Sequence, residues 1–461
     1  MLRKFIFAGT IATAIYLPVV TPVNSAPLSD EVVDELSRDI AFSRLSNIQR
    51  SLDQLVNRGK TDVVAAMIIG LRYSRYQAQI STAISALTGA KIRDWREAML
   101  WQQANPDVVP HISYRDIKFT LLRVIDLKFM RFLGGKRSNR KSMKIRLEEI
   151  SWGGVKVDGI PALDDPKRIP ANEADYLLDS DLVFGVKING DARAYPLRIM
   201  GWHEMFNDTI GGVPVALAYC TLCGAGILFE TKLPDREEPF VFGSSGFLYR
   251  SNKLMFDRET DSLWNQFTGE PVSGPLVNSG ITLKIRPVVI TSWGKWKAQH
   301  PNTDVLSLDT GHQRNYSSGF VYKEYFASPN LMFPAIVRSE KHVKRKDYVF
   351  GIRDVGAAKA WPLAAFSKQP VINDSVGNRS VVLIGDTKTR TVRAYERNDL
   401  QFSASNELGS IVGPNGTWKI TESALVGPKG QKLARVPGHI SFWFAWDGYL
   451  GVDSALYKIP R

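Results

Sequence analysis

"DLVFGVKINGDARAYPL" occupies residues 181–197, and "DYVFGIRDVGAAKAWPL" occupies residues 347–363. Each reads as two short strands around a tight turn. In the first, the turn is Asn189-Gly190, a pair that accepts the positive φ angles of a type I′ hairpin. The likeness runs on without a gap: "NDTIGGVPVAL" from 207 answers "NDSVGNRSVVL" from 373, an offset of 166. Farther along, "GPLVNSGITLKIRPVVITSWGKW" from 274 resembles "GPKGQKLARVPGHISFWFAW" from 427, with the offset shortened to about 150 by lost loop residues. Ordered matches of this kind predict two copies of one β-rich unit, residues 150–345 and 346–461.

The repeat works as an internal control. Features present in both copies serve the fold: the hairpin, the Asn-Asp turn after it and the Trp-rich end. Features confined to one copy are candidates for function. Cys220 aligns with Asp386 and Cys223 with Thr389, while His203 aligns with Gln369 and Glu204 with Pro370. The second copy keeps the scaffold and has none of these ligand-type side chains.

Upstream of the repeat, residues 27–133 carry charges and apolar positions at helical spacing. Thr61 and Asp62 are suited to capping a helix start. The alternating helices resemble the hairpins of HEAT-like solenoids, and a small helical domain packed on the rest fits equally. Residues 134–149 form a basic linker. Residues 1–26 read as a cleaved signal peptide, with Arg3 and Lys4 before an apolar stretch and small residues near position 25. The fold class is therefore α+β: a helical domain followed by two homologous β-rich units.

The chain has 461 residues, 44% of them hydrophobic, and a net charge of +13. That charge is not gathered on one face and accompanies no nucleic-acid motif, so no specific nucleic acid is expected. An anionic envelope surface is the partner that the basic linker would suit. Export leads to a secreted or periplasmic setting, where thiols oxidise.

Both cysteines of the chain stand in "AYCTLCGAGILFE", residues 218–230. Three chemistries share this Cys-x-x-Cys spacing. A metal site would use both thiolates with His203 as a third ligand, and such a set suits zinc or copper. Met200 and Met205 flank His203 and are either soft ligands or core filler. Glu204, Asp257 and His300 are further candidates. A thiol–disulfide oxidoreductase would use the pair directly, although the alternation after Cys223 predicts a strand rather than the helix that usually lowers a thiol pKa. A staple across four residues contributes only about 2 kcal/mol, and a non-catalytic envelope scaffold could carry one. Gly224 stands where c-type haem attachment needs His. No phosphate loop, dinucleotide fingerprint or Ser-His-Asp order is present, so no nucleotide cofactor is expected.

With these residues in hand, "WHEMFND" at 202, "YCTLCG" at 219, "FGSSGFLYRSNKLMFDRETDSLW" at 242 and "HPNTDVLSLDTG" at 300 resemble the bacterial and archaeal domain of unknown function 3179. The resemblance covers residues 150–345 and continues more weakly to the end. It implies no activity, since the family is named for lacking one. Thr221 stands where the family tends to have Pro between its cysteines.

Overall fold

The computed structural model describes residues 27–44, 46–134 and 142–460. Residues 1–26, where the sequence reads as a signal peptide, lie outside the described residues, as do residues 135–141 of the basic linker. No helix among the described residues is long and apolar enough to cross a membrane.

The N-terminal region is helical, as the sequence predicts. Asp94 caps the helix Trp95–Ala104 by accepting from the N–H groups of Arg96 and Glu97. Thr61 and Asp62 do not cap: they form a short 3-10 turn, and Asp62 pairs with Arg58 instead. The helix Val64–Tyr73, "VAAMIIGLRY", is buried from Val64 to Leu71. It packs against Asp30–Phe42, Gln77–Thr88, Trp95–Ala104 and Tyr114–Ile125. A helix apolar on every side belongs at the centre of a globule. The helices form a small domain centred on this helix, within which Asp30–Phe42 also packs on Gln49–Arg58 and Gln49–Arg58 on Gln77–Thr88, as in two stacked hairpins.

The two β units share a set of equivalent strands. In the first, Leu182–Ile188 pairs with Asp191–Pro196, with Val183 opposite Pro196. In the second, Tyr348–Asp354 pairs with Ala357–Pro362, with Val349 opposite Pro362. Each unit then makes a three-stranded meander: Met205–Ile210, Val213–Cys220 and Ala225–Glu230 in the first, Val371–Val376, Arg379–Asp386 and Thr391–Glu396 in the second. The registers agree: Asp208 faces Val215 as Asp374 faces Val381, and Cys220 faces Ala225 as Asp386 faces Thr391. Farther on, Val289 lies opposite Gly185 and His439 opposite Gly351.

Side chains at equivalent positions hold each copy. Asp208 accepts from Arg193 and Tyr195, both at 2.7 Å, and Asp374 accepts from Lys359 and Trp361, both at 2.8 Å. Asn207 clamps the backbone N–H and C=O of Phe242, and Asn373 clamps those of Phe402. The Asn-Asp pairs expected as turns lie inside strands, and the first turn falls at Gly211-Gly212. These pairs recur because they tie the meander to neighbouring strands. Asn189 and Gly190 both have positive φ, as the type I′ reading requires, whereas in the second copy only Gly356 does.

Each unit also presses a tryptophan onto a glycine of its central strand: Trp296 on Gly185 and Trp446 on Gly351. Both indole N–H groups donate to a hydroxyl, Thr303 at 2.9 Å and Ser454 at 2.6 Å. A Cβ at either glycine would overlap the ring. Gly185→Ala and Gly351→Ala are each expected to destabilise the fold by about 1–3 kcal/mol, the usual result of overpacking. A lowered midpoint of thermal or urea unfolding in both variants checks this and the equivalence of the two copies.

Candidate functional site

The strands Val213–Cys220 and Ala225–Glu230 form a hairpin whose tip is Thr221-Leu222-Cys223-Gly224. The tip is closed by two turn bonds, Cys223 N–H to Cys220 C=O at 3.1 Å and Gly224 N–H to Thr221 C=O at 3.2 Å. Cys220 and Cys223 are joined as a disulfide across it, with their Cα atoms 5.2 Å apart. Both are buried, at 2% and 0% exposure. Gly224 has φ +61°, and a Cβ there would press on Tyr348 and Phe442 of the second unit. The glycine after the pair is thus required by this close approach.

The second copy builds the same hairpin without cysteines. Asp386 stands for Cys220 and accepts from the Thr389 hydroxyl, at the position of Cys223, at 2.9 Å; it also accepts from the Lys388 N–H at 2.9 Å. Arg390 takes the place of Gly224, also with positive φ, and donates to the Tyr348 hydroxyl at 2.8 Å. A side-chain hydrogen bond suffices where the first copy has a covalent bond.

A polar cluster surrounds the disulfide. Glu204 accepts from the Thr221 hydroxyl, between the two cysteines, at 2.6 Å, and its backbone C=O accepts from Tyr219 N–H at 2.8 Å. Its other oxygen pairs with Lys253 at 3.3 Å, and both side chains are at least nine-tenths buried. Burial pulls the Lys253 ammonium below its usual range, against the attraction of Glu204. Tyr322 lies against the same carboxylate, and burial pushes its phenol up to about 12. The roof comes from the second unit and the strap before it: Phe442 N–H donates to Cys223 C=O at 2.7 Å, and Tyr325 on the short helix Lys323–Ala327 donates to Leu222 C=O at 2.7 Å.

Of the residues expected at the site, Glu204 joins the cysteine loop and His203 turns away. Nδ1 of His203 donates to Pro161 C=O at 2.9 Å, and Nε2 takes the Tyr316 hydroxyl at 2.6 Å. With both nitrogens engaged, it has none left for a metal. Burial holds its pKa down at about 4. The Cys/Cys/His set is therefore not assembled: among the described residues, no three His, Cys, Asp or Glu side chains are grouped to hold a metal ion. Met200 and Met205 are fully buried core residues. Asp257 braces its own turn, accepting from Thr260 and from the Trp264 indole. His300 rests on the Trp296 ring, 4.0 Å from Glu422, and borders a separate cleft.

With the geometry in place, comparison with known proteins identifies the chain. The model of the family described as "Protein of unknown function (DUF3179)" matches residues 157–452. The chain belongs to this family. No curated protein and no solved structure matches it. The DUF3179 match takes in both β units, so the family's module is the duplicated pair, including the second copy that roofs the cysteine loop.

Within that module, sequence reasoning passed over Asn252 and Lys253, although both stand in the quoted "FLYRSNKLMFD". The signal was present: a polar Ser-Asn-Lys run opens an apolar strand, Asn252–Asp257, and is wholly buried. Arg250 and Ser251 before it both have positive φ, as does Glu204. Non-glycine residues held in this conformation gather where the surroundings over-determine the backbone.

Two outcomes follow. The double variant Cys220→Ala/Cys223→Ala should fold, with stability lowered by only about 2 kcal/mol, the worth of closing so short a loop; loss of the near-UV circular dichroism spectrum would contradict this. His203 stays neutral in the fold, while the unfolded chain protonates it below about pH 6.5. Stability therefore falls as pH drops from 6.5 toward 4, and His203→Gln should remove about one proton's worth of that slope in urea titrations at several pH values.

Proposed function

We propose that this DUF3179 protein is an exported thiol–disulfide redox protein whose working pair is Cys220–Cys223. The observation that carries the reading is the comparison between copies. The hairpin is complete with an Asp386–Thr389 hydrogen bond, so the cysteine pair is not needed to form it. What the pair adds is chemistry: a bond that opens and closes by two electrons. A buried Glu204–Lys253 pair and Thr221 stand beside it, the kind of polar cluster that sets protonation at a functional site. The Arg3-Lys4 start and the apolar run after it support export into an oxidising compartment.

The pair is covered, so exchange with another thiol requires the strap that carries Tyr325 to lift. Lys346 holds that strap, donating to Ser328 C=O at 2.7 Å with its ammonium 3.7 Å from the centre of the Tyr325 ring. The zinc or copper reading rests on the same two sulfurs. It needs the reduced pair and donors other than His203.

One experiment separates the readings: bound metal and free thiols measured on protein purified without added reductant, then on protein equilibrated with dithiothreitol. The redox reading expects no stoichiometric metal and a pair that opens and recloses reversibly. Stoichiometric zinc or copper on the dithiol form would favour the metal site. A disulfide inert in the folded protein would leave the scaffold. Tyr325→Phe removes one latch of about 1 kcal/mol, so it should speed reduction of the folded protein about fivefold; an unchanged rate would mean that entry lies elsewhere.

A further inference from the structure

Asn252 is fully buried, and its orientation is set by one neighbour. The Nδ2 amide donates to the backbone C=O of Ala445 at 3.3 Å. Reversing the amide would place two acceptors against each other, so Oδ1 is the atom turned toward the cysteines. It lies 2.6 Å from Cys223 Sγ. The Ser251 carbonyl oxygen also lies near that sulfur, at 3.6 Å. Both are acceptors.

A disulfide sulfur carries no proton. In the oxidised state Oδ1 therefore lies against a sulfur that cannot donate to it, in a buried place. In the reduced state the Cys223 thiol donates to it. A thiolate would be repelled by both oxygens, so Cys223 is held as the neutral thiol. An interaction made in only one oxidation state shifts the equilibrium toward that state, which is how a disulfide becomes oxidising.

We propose that Cys220–Cys223 is an electron-accepting disulfide that oxidises a dithiol, with Asn252 as the positioning residue that favours the reduced pair. The proposal rests on the redox reading above. The partner is a molecule with two thiols close enough to close a disulfide of their own. One partner thiolate attacks a sulfur of the pair, the Cys220–Cys223 bond breaks and a mixed disulfide forms. The second partner thiolate then displaces the remaining cysteine, closing a disulfide in the partner. Two electrons pass to the protein. The two protons released by the partner thiols end on Cys220 and Cys223, the latter donating to Asn252 Oδ1.

The test is the equilibrium of the full chain with dithiothreitol and its oxidised form. Asn252→Leu keeps the bulk and removes the acceptor. It should move the equilibrium toward the disulfide about tenfold, or about 30 mV to more negative potential. Asn252→Asp keeps an acceptor and should stay near wild type or move toward the dithiol. A second readout avoids altering Asn252: in Cys220→Ser, whose only thiol is Cys223, the S–H stretching band should lie at the lowered frequency of a hydrogen-bonded thiol. An Asn252→Leu equilibrium within twofold of wild type, or a free S–H band, overturns the inference and leaves the redox reading standing. A wild-type pair that never exchanges in the folded protein overturns both.

Discussion

The hydrogen bond from Phe442 N–H to Cys223 C=O joins the two copies of the β unit, and the arrangement around the cysteines depends on it. It fixes the tip of one copy's hairpin against the strand His439–Phe442 of the other and the helix that follows it. The relation is returned at the equivalent place, where Asp386 in the second copy's hairpin meets Lys295 at the start of the first copy's helix Trp293–Gln299. Each hairpin tip is thus held by the other copy as well as by its own, where Thr221 bonds Glu204 and Arg390 bonds Tyr348.

That placement decides the character of the cysteine site. A hairpin tip in water would leave its sulfurs open and its turn carbonyls solvated. Here the Cys223 and Leu222 carbonyls take donors from Phe442 and Tyr325, and apolar rings cover the rest. Inside such a cover, groups that would be indifferent in water acquire consequences. Glu204 and Lys253 are tolerated because each offsets the other's burial, and a lone member of the pair would be costly. Asn252 matters because its buried oxygen lies against the Cys223 sulfur, where an unmade hydrogen bond is costly.

The duplication was legible in the sequence because strand pairing preserves spacing. The offset of 166 reappears as matched ladders from Val183 through Glu230, and the shorter later offset as the pairings of Val289 and His439. The cysteine turn between strands was legible for the same reason. His203 was not. Its absence from the second copy marked it as distinct, but absence does not say which way a ring points. Glu204 follows it in the left-handed conformation and turns the chain there, so neighbouring residues serve different surroundings. Asp257 misled similarly, since a carboxylate that holds its own turn looks in sequence like one aimed at a site.

By itself, the sequence determined the helical start, the two β units, the residue-by-residue alignment of their first parts and the hairpin that carries both cysteines. Periodicity, turn residues and repeat spacing are local properties that the chain carries wherever it folds. Only the tertiary structure decided that the cysteines meet as a buried disulfide, that the second copy roofs it, and that Glu204, Lys253 and Asn252 surround it while His203 does not. The contacts around the disulfide join residues from 17 positions apart, Glu204 and Thr221, to 219 apart, Cys223 and Phe442. Which of them form is set by how two copies pack together, and no local pattern encodes that.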